Sequence, residues 1–125
     1  MAVKIMEEKK KILVVDGDKH TRDCIEAMLE IWYSIVTAAN TDDAFETYKK
    51  EHPDYVFAEF SIEPVNAGDL VEKIRIYEKS AGRRTMIFIS TDGSANLSGL
   101  DIDGTFNKSI DMDTMINKLT EIDSQ

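Results

Sequence analysis

The sequence has a single cysteine, no long apolar run and little concentrated positive charge, and each shortage excludes a class of protein. Cys24 cannot form an intramolecular disulfide, so a reducing cytoplasm is the expected location. It stands in a helical pattern without an obvious activating base. This setting predicts a packed or half-buried thiol rather than a reactive one.

Signals for membrane insertion and secretion are missing as well. No apolar stretch approaches the roughly 18 residues that a membrane span needs. The N-terminal segment MAVKIMEEKKK alternates charged and apolar residues, so it lacks the continuous apolar centre of a signal peptide. We therefore expect no membrane partner. Residues 1–10 are interpreted as an N-terminal extension, and residues 11–123 as one domain.

The charge balance argues against nucleic acid as a partner. The net charge is −9, and positive charge is concentrated only at residues 9–11 and at Arg83–Arg84, in short runs that are usually solvated. Neither GxGxxG nor GxxxxGK[ST] occurs, which excludes dinucleotide and P-loop sites. His20 and His52 lie far apart in charged segments that read as loops, so we expect exposed histidines rather than a joint metal site.

The spacing of apolar residues predicts alternating strands and helices. Strands are predicted near residues 12–15, 34–38, 55–60, 86–90 and 105–107. Helices are predicted around residues 25–32, from a cap at Thr41 to Pro53, over 70–82, and around 112–122. Repeated strand–helix units predict an α/β fold, with a mostly parallel, doubly wound sheet that carries helices on both faces.

Polar residues stand where the predicted strands end. They are Asp16, Gly17 and Asp18 after the first strand, Glu59 at the third, Ser90 at the fourth, and Lys108 after the fifth. Carboxyl ends of parallel strands meet at one edge, so these groups should form a shallow acidic pocket with one cation. Such a pocket suits Mg²⁺ and a phosphoryl group in transfer. A buried Glu59–Lys108 ion pair with only a structural role is an equally open alternative.

Taken in order, these segments resemble the CheY-like receiver domain of two-component response regulators. KILVVDGDKHTR resembles the first strand and acidic loop, PDYVFAEFSIEPVNAG the phosphoacceptor strand, MIFIST the hydroxyl-bearing strand, and GTFNKSI the lysine loop. The resemblance runs from about Lys11 to Ile122. It implies a five-stranded sheet of order 2-1-3-4-5, a signalling role without enzymatic activity, and a histidine kinase or an output domain or protein as partner.

The chain departs from the family at the positions that carry its chemistry. By position, the phosphoacceptor aspartate becomes Glu59, with Ser90 and Lys108 as the phosphoryl contacts. A degenerate Mg²⁺ site would consist of Asp16, Glu59 and Ser61, because Gly17 replaces a metal-binding acid. Between Ser90 and Lys108 the chain is short and rich in glycine and serine, which predicts a shortened or missing fourth helix.

These departures predict an atypical receiver that acts by protein–protein interaction without efficient phosphorylation. A glutamate carboxylate lies roughly 1.3–1.5 Å further out than that of aspartate, and Mg²⁺ binding is expected to be weak at most, with no other cofactor. Glu59 would instead reach Lys108, either holding an active-like conformation or remaining as a structural remnant. The alternative is a working phosphoacceptor that uses Glu59 or a nearby acid, with Mg²⁺ held by Asp16 and Asp18.

Overall fold

The computed structural model describes residues 9–91 and 96–107, together with Asn117 and Glu121. The strands are β1 (Lys11–Val15), β2 (Ser34–Ala38), β3 (Tyr55–Glu59), β4 (Met86–Thr91) and β5 (Gly104–Asn107). The helices with described bounds are α1 (Lys19–Leu29), α2 (Thr41–Glu51) and α3 (Ala67–Ala81). All strand pairs are parallel, in the order β2-β1-β3-β4-β5. The predicted α/β fold and its sheet order are therefore confirmed.

Both faces of the sheet are covered, which explains why the strands read as continuous apolar runs. Leu13, Val56 and Ile87 belong to the core on the face that carries α2 and α3. Neighbours one residue along each strand point to the other face, where Phe57 and Phe88 pack with residues of α1. With both faces apolar, polar groups are left to the strand ends and the loops.

The connection between β4 and β5 agrees with the predicted loss of the fourth helix. Residues 96–103 contain no helix. Leu97 and Ile102 instead pack against the core, and the Asp103 N–H donates to the Ile87 carbonyl at 2.8 Å. Residues 92–95 lie outside the described part. Of the predicted last helix, only Asn117 and Glu121 are described, and both are helical.

A buried polar network holds this connection and the α3–β4 junction. The Glu78 carboxylate accepts hydrogen bonds from the Tyr48 hydroxyl at 2.7 Å, from Arg75 at 2.8 Å and from the Thr85 N–H. Arg75 also donates to the Asp101 carbonyl at 2.9 Å. Glu78 on α3 is thus joined to α2, to the start of β4 and, through Arg75, to the segment that replaces the helix.

Two helix ends differ from the prediction. The cap of α2 is Asn40, not Thr41, because the extended backbone of Asn40 lets its side chain accept from the Asp43 N–H at 2.8 Å. Helix α1 ends at Leu29 instead of reaching Trp32. There the N–H groups of Trp32 and Tyr33 both turn back to the Leu29 carbonyl, which buries Tyr33 and leaves Trp32 53% exposed.

Three expectations for polar side chains are wrong. Cys24 is exposed rather than packed, because it lies on the outer face of α1. His20, expected in a loop, is in α1, although it is exposed as predicted, and so is His52. Arg83 is partly buried rather than solvated, because it donates to the Pro53 carbonyl at 2.7 Å. None of the described helices is both long and apolar enough to cross a membrane.

Candidate functional site

Strand register places three of the predicted site residues side by side. Val15 pairs with Ala58, so Asp16 and Glu59 follow on adjacent strands, and Glu59 pairs with Ser90. Asp16, Glu59 and Ser90 line one small cavity of about 30 Å³ whose other walls are largely apolar, large enough for a water molecule. Lys108, the predicted cation of this site, lies outside the described residues.

Asp16 is held in a fixed position at the base of the site. It is 5% exposed, and its carboxylate accepts from the Asp18 N–H at 2.9 Å. Its N–H donates to the Ala38 carbonyl at 3.1 Å, and its own carbonyl accepts from Arg22 at 2.7 Å. These bonds join β1, β2 and α1, so the first acid of the site is part of the framework of the carboxyl edge.

Asp18 caps α1. Its Oδ2 atom accepts from the Thr21 N–H at 3.2 Å and from the Thr21 hydroxyl at 2.7 Å. The hydroxyl bond is the main cause that lowers the pKa of Asp18 below its ordinary value. Satisfying a free N–H group at a helix start is a structural task. The acid one residue beyond Gly17 therefore already serves the helix.

Gly17 is not required by the local backbone. Its φ angle lies outside the left-handed region, and a Cβ atom there would meet its nearest neighbours, the Ala39 carbonyl oxygen and Ile62 Cδ1, at 3.9 Å, an ordinary contact distance. A Cβ atom would fit there without strain. The fold therefore does not demand glycine at position 17.

An open cleft of about 690 Å³ lies outside the small cavity. It is lined by Gly17, Ala39, Asn40, Asp42, Asp43, Glu59, Ser61, Ile62, Glu63 and Pro64. Sequence reasoning missed the carboxylates of Asp42, Asp43 and Glu63 as site residues, because the first two fall inside the helix predicted to begin at Thr41. Their positions just after β2 and β3 were the signal, since loops at the carboxyl edge line such clefts.

The described donor set is a poor match for a divalent metal ion. Within residues 9–91 and 96–107, no three His, Cys, Asp or Glu side chains lie together in a way that could hold a metal. Gly17 offers no side chain, and Asp18 is engaged as a cap. A Mg²⁺ site over Asp16, Glu59 and Ser61 stays a prediction.

The strand order and overall arrangement match those of known proteins. No protein-family model matches the chain. A CheY-like response regulator receiver domain protein from Methanospirillum hungatei JF-1 superposes with a TM-score of 0.80 at 20% identity, over 91% of this chain and 93% of that one. The chain has the CheY-like receiver fold.

Two further receiver structures share this fold. The response regulator TrrA from Thermotoga maritima, solved in complex with Mg²⁺–BeF, has a TM-score of 0.76 at 26% identity, over 90% of this chain and 97% of that one. The second is the co-crystal structure of the Saccharomyces cerevisiae phosphotransfer protein Ypd1 with the receiver domain of Ssk1. Its matching chain superposes on this one with a TM-score of 0.79 at 19% identity, over 91% of this chain and 88% of that one.

Sequence similarity connects the chain with a family of regulators. A probable transcriptional regulator, ycf27, from Porphyridium aerugineum is 27% identical over 96 residues, which is 76% of this chain and 39% of the relative. The chain therefore spans about two fifths of the length of this relative.

Proposed function

We propose that the chain is an atypical receiver domain of two-component signalling that acts by protein–protein contact with little or no phosphoryl transfer. The observation that carries the proposal is the placement of Glu59. It pairs with Ser90 and stands beside Asp16 at the carboxyl end of β3. The resemblance to receivers expects the acceptor aspartate at this position and a metal-binding acid at Gly17. We therefore propose that the site keeps the location of a phosphoacceptor and has changed the two groups on which the transfer would depend.

Both changes act on the same chemical step. The longer side chain of Glu59 displaces the acceptor oxygens, and an error of about 1 Å costs on the order of a hundredfold in rate. A missing carboxylate weakens the ion that neutralises the transferring phosphoryl group. TrrA was solved in complex with Mg²⁺–BeF; we expect no comparable complex for this chain.

A signalling partner fits this proposal better than a substrate. The Ssk1 receiver domain was solved in complex with the phosphotransfer protein Ypd1, so a receiver of this fold forms a protein–protein complex. We propose a partner of the same class, a histidine kinase, a phosphotransfer protein or an output domain, and no enzymatic activity. The match to part of ycf27 also supports an output partner.

The test is phosphorylation by acetyl phosphate with Mg²⁺, read as hydroxylamine-labile phosphate by mass spectrometry. We expect the wild-type chain, Gly17→Asp and Glu59→Asp to remain almost unlabelled. The double variant Gly17→Asp/Glu59→Asp should gain label, because it restores both the acceptor length and the missing carboxylate. Position 17 accepts a Cβ atom at ordinary contact distances and is exposed, so the variant is expected to fold.

Gly17→Asp/Glu59→Asn is the matched control, since it restores the metal-binding acid but removes the acceptor. It should remain unlabelled. Stoichiometric labelling of the wild-type chain would overturn the proposal in favour of a working phosphoacceptor. A silent double variant would show that positions 17 and 59 are not what prevents the transfer.

A further inference from the structure

The end of α1 carries a group of exposed apolar side chains, away from the carboxyl edge that holds the candidate site. Met28, Ile31 and Trp32 are 40%, 69% and 53% exposed, and their spacing is that of neighbours on a helical turn. They are three of the five large hydrophobic side chains that the described residues leave exposed. Grouped apolar residues at a surface mark a docking site, whereas scattered single ones do not. We refer to these three residues as the Trp32 patch.

The described part of the chain begins beside this patch. The Lys9 Nζ atom donates to the Glu30 carbonyl at 2.7 Å, one residue before Ile31. The Lys10 carbonyl accepts from the Ser34 N–H at 2.9 Å. Because β1 and β2 are parallel and start in register, the residues that precede the two strands run side by side. The chain that leads into Lys9 is therefore joined to the domain next to the Trp32 patch.

The sequence before Lys9 has the composition of an occupant for the patch. Residues 1–8 read MAVKIMEE, with apolar side chains at Val3, Ile5 and Met6. Val3 and Ile5 are two residues apart, the spacing at which an extended chain presents both side chains on one side. The six residues from Lys9 back to Val3 can reach about 20 Å.

We propose that residues 1–8 dock on the Trp32 patch of their own chain, with Val3, Ile5 and Met6 as the apolar contacts. The tether favours this occupant over a second copy of the chain. The patch offers only about a few hundred Å² of apolar surface, whereas a stable interface between two chains buries roughly 1,200 Å² or more. A covalently joined segment has an effective concentration in the range of about 1 mM, so a small apolar contact is sufficient. The inference does not depend on the proposed signalling function.

The fluorescence of Trp32 tests the docking directly, because it is the only tryptophan of the chain. Val3→Ser/Ile5→Ser in the full chain should shift the emission to longer wavelength and raise acrylamide quenching about twofold, because the apolar contacts that cover the ring are lost. Lys4→Ser is the matched control in the same segment and should leave both readouts unchanged.

The patch itself is tested from the other side of the contact. Ile31→Ser should raise the quenching of Trp32 as the double variant does, whereas Ile76→Ser, at a residue of α3 that is 65% exposed, should not. In the wild type, the quenching should be the same at every protein concentration.

Protection of Trp32 that is lost on dilution would identify a second copy as the occupant and overturn the proposal. The proposal also fails if the wild type and Val3→Ser/Ile5→Ser are quenched equally, or if Lys4→Ser exposes the ring as much as the double variant does.

Discussion

Glu59 at the end of β3 and Glu78 near the end of α3 are two carboxylates beside apolar residues, and their surroundings differ. Glu78 is 6% exposed and accepts hydrogen bonds from Tyr48, Arg75 and Thr85. Glu59 is only partly buried and lies between a small cavity and an open cleft. A carboxylate surrounded by fixed donors holds the structure together, whereas one at the edge of a cleft can be exchanged when function changes.

The ionisation of the buried network supports this contrast. Burial raises the pKa of Tyr48 to about 12. Burial alone would also raise the pKa of Glu78, but the hydrogen bonds from Arg75, Tyr48 and Thr85 outweigh it and leave the pKa below its ordinary value. The network therefore contains a charged carboxylate, a charged guanidinium and a neutral phenol at neutral pH.

The largest effect is expected for Glu78→Ala. The change takes one of three carboxylate partners from Arg75 and leaves the buried Tyr48 hydroxyl and Thr85 N–H without their carboxylate acceptor. Breaking such a buried network costs about 3–5 kcal/mol of the free energy of unfolding. Urea unfolding measures the loss. Glu72→Ala, at an exposed position of the same helix, should change the free energy by less than about 0.5 kcal/mol.

Glu59→Ala provides the direct comparison and should cost clearly less than Glu78→Ala. An equal loss at the two positions would break the contrast, because Glu59 would then be as structural as Glu78.

A smaller effect is expected for Tyr48→Phe. The Tyr48 hydroxyl bonds both Glu78 and Thr85, and its removal should lower the free energy of unfolding by about 1–2 kcal/mol. The matched control is Tyr77→Phe, because the Tyr77 ring packs against the Tyr48 ring and its hydroxyl bonds none of the described residues. Equal losses in the two variants would mean that ring packing, and not the hydroxyl network, carries the stability.

The smallest effect concerns pH. Because the folded pKa of Glu78 lies below the ordinary value of 4.5, its contribution is fully present above that value and is lost as the pH falls through the folded pKa. On acidification below pH 4.5, the free energy of unfolding should therefore fall more steeply for the wild type than for Glu78→Gln. Urea titrations at several pH values compare the slopes, and parallel slopes would contradict the assignment.

Local patterns predicted most of the fold, because they depend on neighbours in the chain. The apolar runs placed all five strands, and polar strand ends placed Asp16, Glu59 and Ser90 at one edge. The errors concern helix ends, where neighbouring residues compete for the same capping or terminating position. Asn40 rather than Thr41 caps α2, and α1 ends at Leu29 rather than near Trp32. Both outcomes depend on backbone direction, which residue spacing does not encode.

The candidate site was predicted less completely than the fold. The sequence shows a glycine at position 17. It does not show that the backbone there would also accept a residue with a side chain. The role of Asp18 as a cap and the acidic lining from Asp42 and Glu63 required the loops in place. Loop conformation is decided by many weak contacts, so residue type alone does not predict it.

By itself, the sequence determined the order of the strands and helices, the position of the acids at the carboxyl edge, and the absence of a carboxylate at position 17. These follow from periodicity and from the rule that parallel strands end together. The tertiary structure alone decided that Glu78 is a buried carboxylate with its hydrogen bonds satisfied. The bonds from Tyr48 to Glu78 and from Arg75 to Asp103 span about 30 residues each, and only packing brings such distant groups within reach of one another.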